Sequence, residues 1–287
     1  MPKDGTVGFS DNTPYKHDHF DKLVQAHMRI VRGIIHRHTW AFSSYVYLDL
    51  NAGSGHYYDE DGHLMLGSPI RAALLSLAQS LPMLACLCEQ SYESVGQLIE
   101  AFHAHQITSV PREIDEPDRL LTSHHDIWIF EDQYSIGIPW FIEQRLKPLA
   151  VVQGTTLNKV YGLIYSDENG TLPPFALLEK CAIELPLVDQ LIHVAATPIK
   201  RQIYSPKHHL NQRLDEMLAT IPKKYWFVRL PYGQHQWTFL LGTNWDAFPE
   251  FTRQHFYRTD SPEGQSILRR LSYNRKDYDG QGDLFSA

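Results

Sequence analysis

Apolar residues recur at helical spacing from Phe20 to His38, at Leu23, Val24, Met28, Ile30, Val31, Ile34 and Ile35, and predict a helix. The stretch Tyr45–Leu50 ("YVYLDL"), β-favouring apart from Asp49, predicts a strand that ends in a crowd of small residues. Residues 69–80 are rich in Ala and Leu and read as a second helix. The unbroken apolar run "MLACLCE", ending at Glu89, suits a parallel strand buried on both faces. "SYESVGQLIEAFHAH" returns to helical spacing.

Residues 107–147 form an irregular insertion. "SVPREIDEPDRL" is polar and Pro-interrupted and reads as a loop, "DIWIF" as a short strand, and "IPWFIEQRL" as the entry to a helix. "LAVVQGTT" reads as a short strand ending at Gly154. "VYGLIYSDENG" is another, running into a turn, and Val188–Ala196 is a further one. "NQRLDEMLATI" is helical, and "YWFVRLPYGQHQWTFLLGTN" is an antiparallel hairpin. The alternation predicts an α/β fold, a doubly wound, mostly parallel sheet of about seven strands that ends in an antiparallel hairpin. It occupies residues 20–272, between an N-terminal arm (1–19) and a polar, Gly-rich tail (273–287) expected to be flexible.

Composition narrows the possibilities. With 287 residues, 43% of them hydrophobic, the chain can bury a large core. A formal net charge of −7 argues against a globally basic nucleic-acid coat, though not against a local basic groove. No signal-peptide core and no apolar run near the roughly 18 residues of a membrane helix is present, so a soluble, cytoplasmic protein without a membrane partner is expected. The three cysteines, Cys86, Cys88 and Cys181, fit buried small apolar residues better than a disulfide framework. There are 16 histidines, but neither Cys-x-x-Cys nor His-Glu-x-x-His spacing, and no metal is expected.

The candidate chemistry lies in "LDLNAGSG". In such sheets ligands bind beyond the carboxyl ends of the strands. Gly53 and Gly55 let the backbone take positive φ and approach a ligand, and Asp49 can hold a polar group or a network behind it. A dinucleotide fingerprint needs a third Gly, and an acid about 20 residues on. Here His56, Tyr57 and Tyr58 follow, and Glu89 lies 34 positions after Gly55. The Lys of a phosphate-binding P-loop is also missing.

Residues 49–55 resemble the first motif of class I S-adenosylmethionine-dependent methyltransferases, acid-x-Gly-x-Gly-x-Gly, with Asn51 in place of the first Gly. Glu89 is similar in position to the acid that ends their second strand and holds the ribose hydroxyls, and the 226–242 region looks like their closing hairpin. The resemblance covers roughly residues 20–245. "YLDLNAGSGHY" also looks like the first motif of large-subunit ribosomal RNA adenine methyltransferases. "YLDLNAGSG", "GSPIRAALL" and the turn after "GLIYSD" together resemble the bacterial three-Cys-motif partner proteins more closely. The resemblance implies a Rossmann-like fold and S-adenosyl-L-methionine as cofactor, bound by Asp49, Asn51, Ala52, Gly53, Ser54, Gly55 and Glu89. Asp167 and Asn169 would be catalytic, on the acceptor side, and nucleic acid the substrate. Where base amino-methyltransferases carry Asp/Asn-Pro-Pro-aromatic, this chain has Ser166-Asp167-Glu168-Asn169-Gly170, and Pro173-Pro174-Phe175 follows without an acid next to it, a departure that bears on the acceptor. Two alternatives stay open: a catalytically silent methyltransferase-like subunit serving a protein partner, and a nucleotide- or NAD-binding Rossmann protein.

The tail carries Gln281-Gly282-Asp283-Leu284-Phe285, which resembles the short peptide that binds the bacterial replication sliding clamp. Gln281, Leu284 and Phe285 fit that pattern and Gly282 departs from it. A tethered Leu-Phe anchor entering an apolar pocket is the physics expected of such a contact.

Overall fold

The computed structural model describes residues 13–59, 61–110, 117–168, 170–204, 213–231, 237–246 and 249–272. The chain divides into two compact units, Met1–Ser166 with Leu187–Asp189, and Asp167–Pro186 with Gln190–Ala287.

The first unit contains α1 (Thr13–Arg37), β1 (Tyr45–Asp49), β2 (His56–Tyr58), β3 (Leu64–Leu66), α2 (Ser68–Ala78), β4 (Met83–Glu89), α3 (Tyr92–Ala104), β5 (Asp118–Leu121), β6 (His125–Glu131), α4 (Tyr134–Phe141), α5 (Lys147–Val152) and β7 (Gly162–Asp167) except for its last residue. β1 pairs in parallel with β4 on one side and β7 on the other, and β4 pairs in parallel with β6. β5 closes that edge antiparallel to β6. The chain thus runs outward from β1 to β4 to β6 and returns to β7 on the far side of β1, which makes the end of β1 the switch point. Every residue of β1 is buried, as is β4 up to Glu89, which explains their unbroken apolar sequence.

The second unit holds α6 (Phe175–Glu184), most of β8 (Val188–Ala195), α7 (Ala196–Tyr204), α8 (Leu214–Ala219), β9 (Tyr225–Arg229), β10 (Trp237–Thr243), α9 (Pro249–Arg253), β11 (Phe256–Arg258) and α10 (Pro262–Ser272). Its strands are antiparallel. β10 lies between β8 and β9, and β11 borders β9. The expected hairpin is therefore β9–β10, and its large residues are buried: Trp226 at 8%, Phe227 at 8%, Trp237 at 9%, Phe239 at 0% and Leu241 at 1% exposure. An α/β fold with a mostly parallel sheet and antiparallel edge strands is what the sequence predicts.

Several expectations need correction. "LAVVQGTT" is not a strand. A π-helical turn at Ile142–Leu146 joins α4 to α5 as one continuous helix, and Ile142, Leu146 and Ala150 are buried at helical spacing while Val151 and Val152 face outward. The paired valines give a β-like composition that the buried face overrides. The loop read over residues 109–120 contains most of β5, whose Arg119 forms a two-pronged ion pair with Asp126 across the strand pair, at 2.7 and 2.8 Å. The first helix starts at Thr13 rather than Phe20. The β2–β3 hairpin, α7 and α10 had no counterpart in the sequence reading.

Candidate functional site

In the first unit, the chain leaves β1 through the small-residue loop and is pinned on both sides. Leu50 N–H donates to Tyr165 O on β7 at 3.0 Å, and Ala52 N–H donates to Cys88 O on β4 at 2.9 Å. The loop therefore continues the sheet ladder past the end of β1 before it turns. The turn takes positive φ at Gly53 (63°) and Gly55 (76°).

Asp49 is completely buried, so its charge must be answered locally. Oδ2 accepts from the Tyr47 hydroxyl at 2.8 Å and the Ser68 hydroxyl at 2.9 Å, and Oδ1 accepts from the Asn51 amide at 3.2 Å. Burial, followed by the neighbouring Asp49 carboxylate, drives the Tyr47 hydroxyl well above the ordinary tyrosine range. Tyr47 therefore stays a donor at neutral pH.

Glu89 joins two turns. Oε2 accepts from Gly53 N–H at 3.0 Å, and Oε1 accepts from Ser91 N–H at 2.9 Å at the entry to α3. Ser91 in turn caps α3, accepting from Ser94 N–H at 3.2 Å. The acid that ends β4 is thus positioned at the loop.

Tyr47 and Ser68 escaped the sequence reading. Ser68 lies 19 residues from Asp49, beyond an inserted hairpin formed by β2 and β3. Gly67 N–H donates to Gly55 O at 2.8 Å and closes that insertion. The start of α2 consequently returns to the loop, with Pro69 in its first turn and the partial positive charge of its N-terminus beside Asp49. The sequence signal was "GSP", a helix start whose long-range partner no local pattern can name.

The predicted residues divide by exposure. Asp49, Ala52 and Gly55 are buried, whereas Asn51, Gly53, Ser54 and Glu89 are half-buried. Ser54 turns its hydroxyl onto His56 O at 2.6 Å. A Cβ built on Gly53 meets nothing within 4 Å, whereas one on Gly55 meets Leu98 Cδ1 at 2.7 Å and Ala101 Cβ at 3.1 Å on α3. Gly53 borders open space and Gly55 is packed.

In the second unit, Asp167 ends β7 and its Oδ1 lies 2.8 Å from Nδ1 of His193 on β8. The His193 ring is flanked by Trp237 and Phe239 on β10, with centroids 5.4 and 5.6 Å away. His193 belongs to none of the closely spaced histidine pairs in the sequence, and it was not anticipated. Asn169 lies outside the described residues, as do Gln281, Leu284 and Phe285. Among the described residues, Asp59, Asp61 and His63 bring metal-ligand atoms within 4.8 Å of one another. Asp59 is already occupied there by the turn, accepting from the amides of Asp61 at 3.0 Å and His63 at 2.7 Å. No helix among the described residues is long and apolar enough to cross a membrane.

No protein-family model matches the chain, and no curated protein matches it in sequence. Among solved structures, LPL1258 from Legionella pneumophila aligns over 88% of this chain and 93% of its own, with 11% identity and a TM-score of 0.46. Trm1 from Pyrococcus horikoshii, solved with S-adenosyl-L-methionine, aligns over 84% of this chain and 57% of its own, with 13% identity and a TM-score of 0.47. A METTL16 methyltransferase domain aligns over 78% of this chain and 83% of its own, with 9% identity and a TM-score of 0.41. At these values the likenesses assign the chain to no family.

Proposed function

We propose that the protein is an S-adenosylmethionine-dependent methyltransferase acting on nucleic acid. The observation that carries this reading is the Gly53 turn at the end of β1, open above its Cα position and tied to the Glu89 carboxylate. The donor set suits the cofactor. Glu89 only accepts hydrogen bonds and can take the two hydroxyls of a ribose, while the backbone at Asn51, Gly53 and Ser54 offers a close approach to a chain ending in charged groups. Asp49, Ala52 and Gly55 shape the loop from below.

When bound, the cofactor supplies a methyl group on a sulfonium centre. The protein's part is then to hold the acceptor in line and keep water away. Asp167 and Asn169 are proposed for the acceptor side, and a nucleobase acceptor would have to leave its stack to react. The resemblance of "YLDLNAGSGHY" to ribosomal RNA methyltransferases and the sliding-clamp-like tail support a nucleic-acid acceptor. Within the superfamily, the three-Cys-motif partner proteins remain the resemblance we favour.

Calorimetry with S-adenosylmethionine, S-adenosylhomocysteine and NAD tests the reading. Micromolar binding of the first two, lost in Gly53→Val, is expected. Binding of NAD instead would replace the methyltransferase reading with an oxidoreductase one. Binding of none would leave the silent-subunit reading. The tail is tested by titrating a peptide of residues 279–287 onto a bacterial clamp, with Phe285→Ala as control, and indifference to that change removes the contact.

A further inference from the structure

The first unit keeps its charges apart along the strands. β1, β4 and β6 end on carboxylates, at Asp49, Glu89 and Glu131. The segments that lead into the same strands and into β7, residues 38–44, 79–82, 122–124 and 153–161, contain no Asp or Glu. Residues 22–48 contain none either, in a chain whose formal net charge is −7. An exposed indole sits in this acid-free part of the unit. Trp40, 44% exposed, follows α1, stacks on His38 with ring centroids 4.8 Å apart, and has Lys159 Nζ 4.7 Å from its ring centroid. Its main chain is fixed. Trp40 O accepts from the Thr155 hydroxyl at 2.7 Å, and Phe42 N–H donates to Lys159 O at 3.1 Å. Arg37, in the last turn of α1, and Lys159 are exposed, and among the described residues neither forms an ion pair. The negative end of the α1 dipole accounts for Arg37. It does not account for a large aromatic left in water beside cations.

Resting on the nucleic-acid reading above, we propose that the Trp40 face binds single-stranded nucleic acid without sequence preference, as a holding site separate from the loop at the end of β1. A base stacks on the indole, and Arg37 and Lys159 take the neighbouring phosphates. The charge separation selects an anionic partner. The aromatic selects a single strand, because a duplex keeps its base faces stacked on one another and offers only edges and backbone. Lys159 does not obstruct the ring. An exposed cation–π contact is weaker than a base–aromatic stack, and the flexible ammonium can turn from the indole to a phosphate. Tyr45 begins β1 shortly after Trp40, and Asp49 ends it about 13 Å further on at strand rise. The two contacts are therefore separable.

The test titrates the full chain onto labelled oligouridine and oligothymidine strands, with a duplex of the same length as control, by fluorescence anisotropy over a series of salt concentrations. Both single strands should bind, more tightly than the duplex and more weakly as salt rises. Trp40→Ala should weaken single-strand binding by about tenfold, and Trp40→Phe, which keeps a ring to stack on, should recover most of it. Arg37→Gln with Lys159→Gln changes two exposed side chains. It should lower the slope of log affinity against log salt by about 1.4, for two phosphate contacts at about 0.7 each. If Trp40→Ala does not fold, this double variant decides alone. Affinity for S-adenosylmethionine, read by calorimetry, should stay within about twofold in every folded variant. Failure of the methyltransferase reading thus shows in the native protein, independently of the strand titration. Single-strand binding unchanged in either Trp40→Ala or the double variant would overturn this site and leave the nucleic-acid reading standing. No binding of either strand by the native protein would overturn both. Duplex binding as tight as single-strand binding would make the face a general polyanion contact, and Trp40-dependent self-association in sedimentation would make it a protein contact. Either result overturns the proposal.

Discussion

Gly53 N–H donates a 3.0 Å hydrogen bond to Glu89 Oε2 although the two residues lie 36 apart in sequence. The bond fixes one turn by an acid that also holds the next, since the other oxygen takes Ser91 N–H. Glu89→Gln puts an NH₂ against one of two donor amides. Cofactor affinity should fall by about tenfold or more, since a charge-assisted hydrogen bond contributes about 1.5–3 kcal/mol. Calorimetry reads the change. Unaltered affinity would remove Glu89 from the site.

The two loop glycines should respond differently. Gly55→Ala places a methyl 2.7 Å from Leu98 Cδ1 in a backbone at φ 76° and should cost about 1–3 kcal/mol of unfolding free energy, read by denaturant titration. Gly53→Val meets no protein atom from its Cβ and suffers mainly the φ strain. It should fold with a smaller loss and still lose S-adenosylmethionine. A Gly53 variant that binds normally would mean the open space is not the cofactor's.

Much of this site was legible in local sequence. Strand, acid and small-residue loop read directly from "YVYLDLNAGSG", and "MLACLCE" announced a buried strand ending on Glu89. What escaped was non-local. Ser68 reaches Asp49 only because an inserted hairpin folds back through Gly67 and Gly55, and no periodicity encodes that closure. His193 is one of three polar residues in Val188–Ala195, and its 2.8 Å approach to Asp167 joins the ends of two strands that no local pattern pairs. The error at Leu149–Gly154 has the opposite origin. Two exposed valines outweighed a helical buried face that only the preceding Ile142 and Leu146 reveal.

Stability should fall at alkaline pH. Burial, then the charge of Asp189, drives the Tyr45 hydroxyl well above the ordinary range, and burial, then Asp49, does the same for Tyr47. Burial also raises Tyr57 to about 12. Below about pH 10 these groups are protonated in both states and contribute no pH dependence. Above it, the unfolded tyrosines ionise while the folded ones keep their protons, so the native state binds more protons and stability declines. The slope approaches about 1.4 kcal/mol per pH unit for each fully buried tyrosine, and is smaller for the half-exposed Tyr57. Melting temperatures from pH 8 to 11.5 should show the decline, and Tyr47→Phe should make it shallower. A flat profile would contradict the burial of these hydroxyls.

Trp237→Ala should destabilise by about 3–5 kcal/mol, because a 9%-exposed indole in β10 leaves a cavity that flanking strands fill poorly. Urea titration measures it. A loss below about 1 kcal/mol would mark the β9–β10 pair as peripheral.

The last prediction concerns the other end of β1. His27 on α1 lies with Nε2 3.0 Å from Asp189 Oδ2 and Nδ1 2.9 Å from the Tyr45 hydroxyl, and all three residues are at most 2% exposed. Tyr45 starts β1 and Asp49 ends it, about 13 Å apart at strand rise. The network therefore ties α1 to the sheet without touching the loop. His27→Ala strands a buried carboxylate and should cost about 3–5 kcal/mol. Replacing both members, His27→Leu with Asp189→Leu, removes the charge along with its partner and should cost much less than the sum of the single changes. Denaturant titrations of the single and double variants supply the cycle, with S-adenosylmethionine affinity as the control. Additive losses would show that His27 and Asp189 act independently, and weakened cofactor binding in a folded variant would show that this end of β1 communicates with the loop.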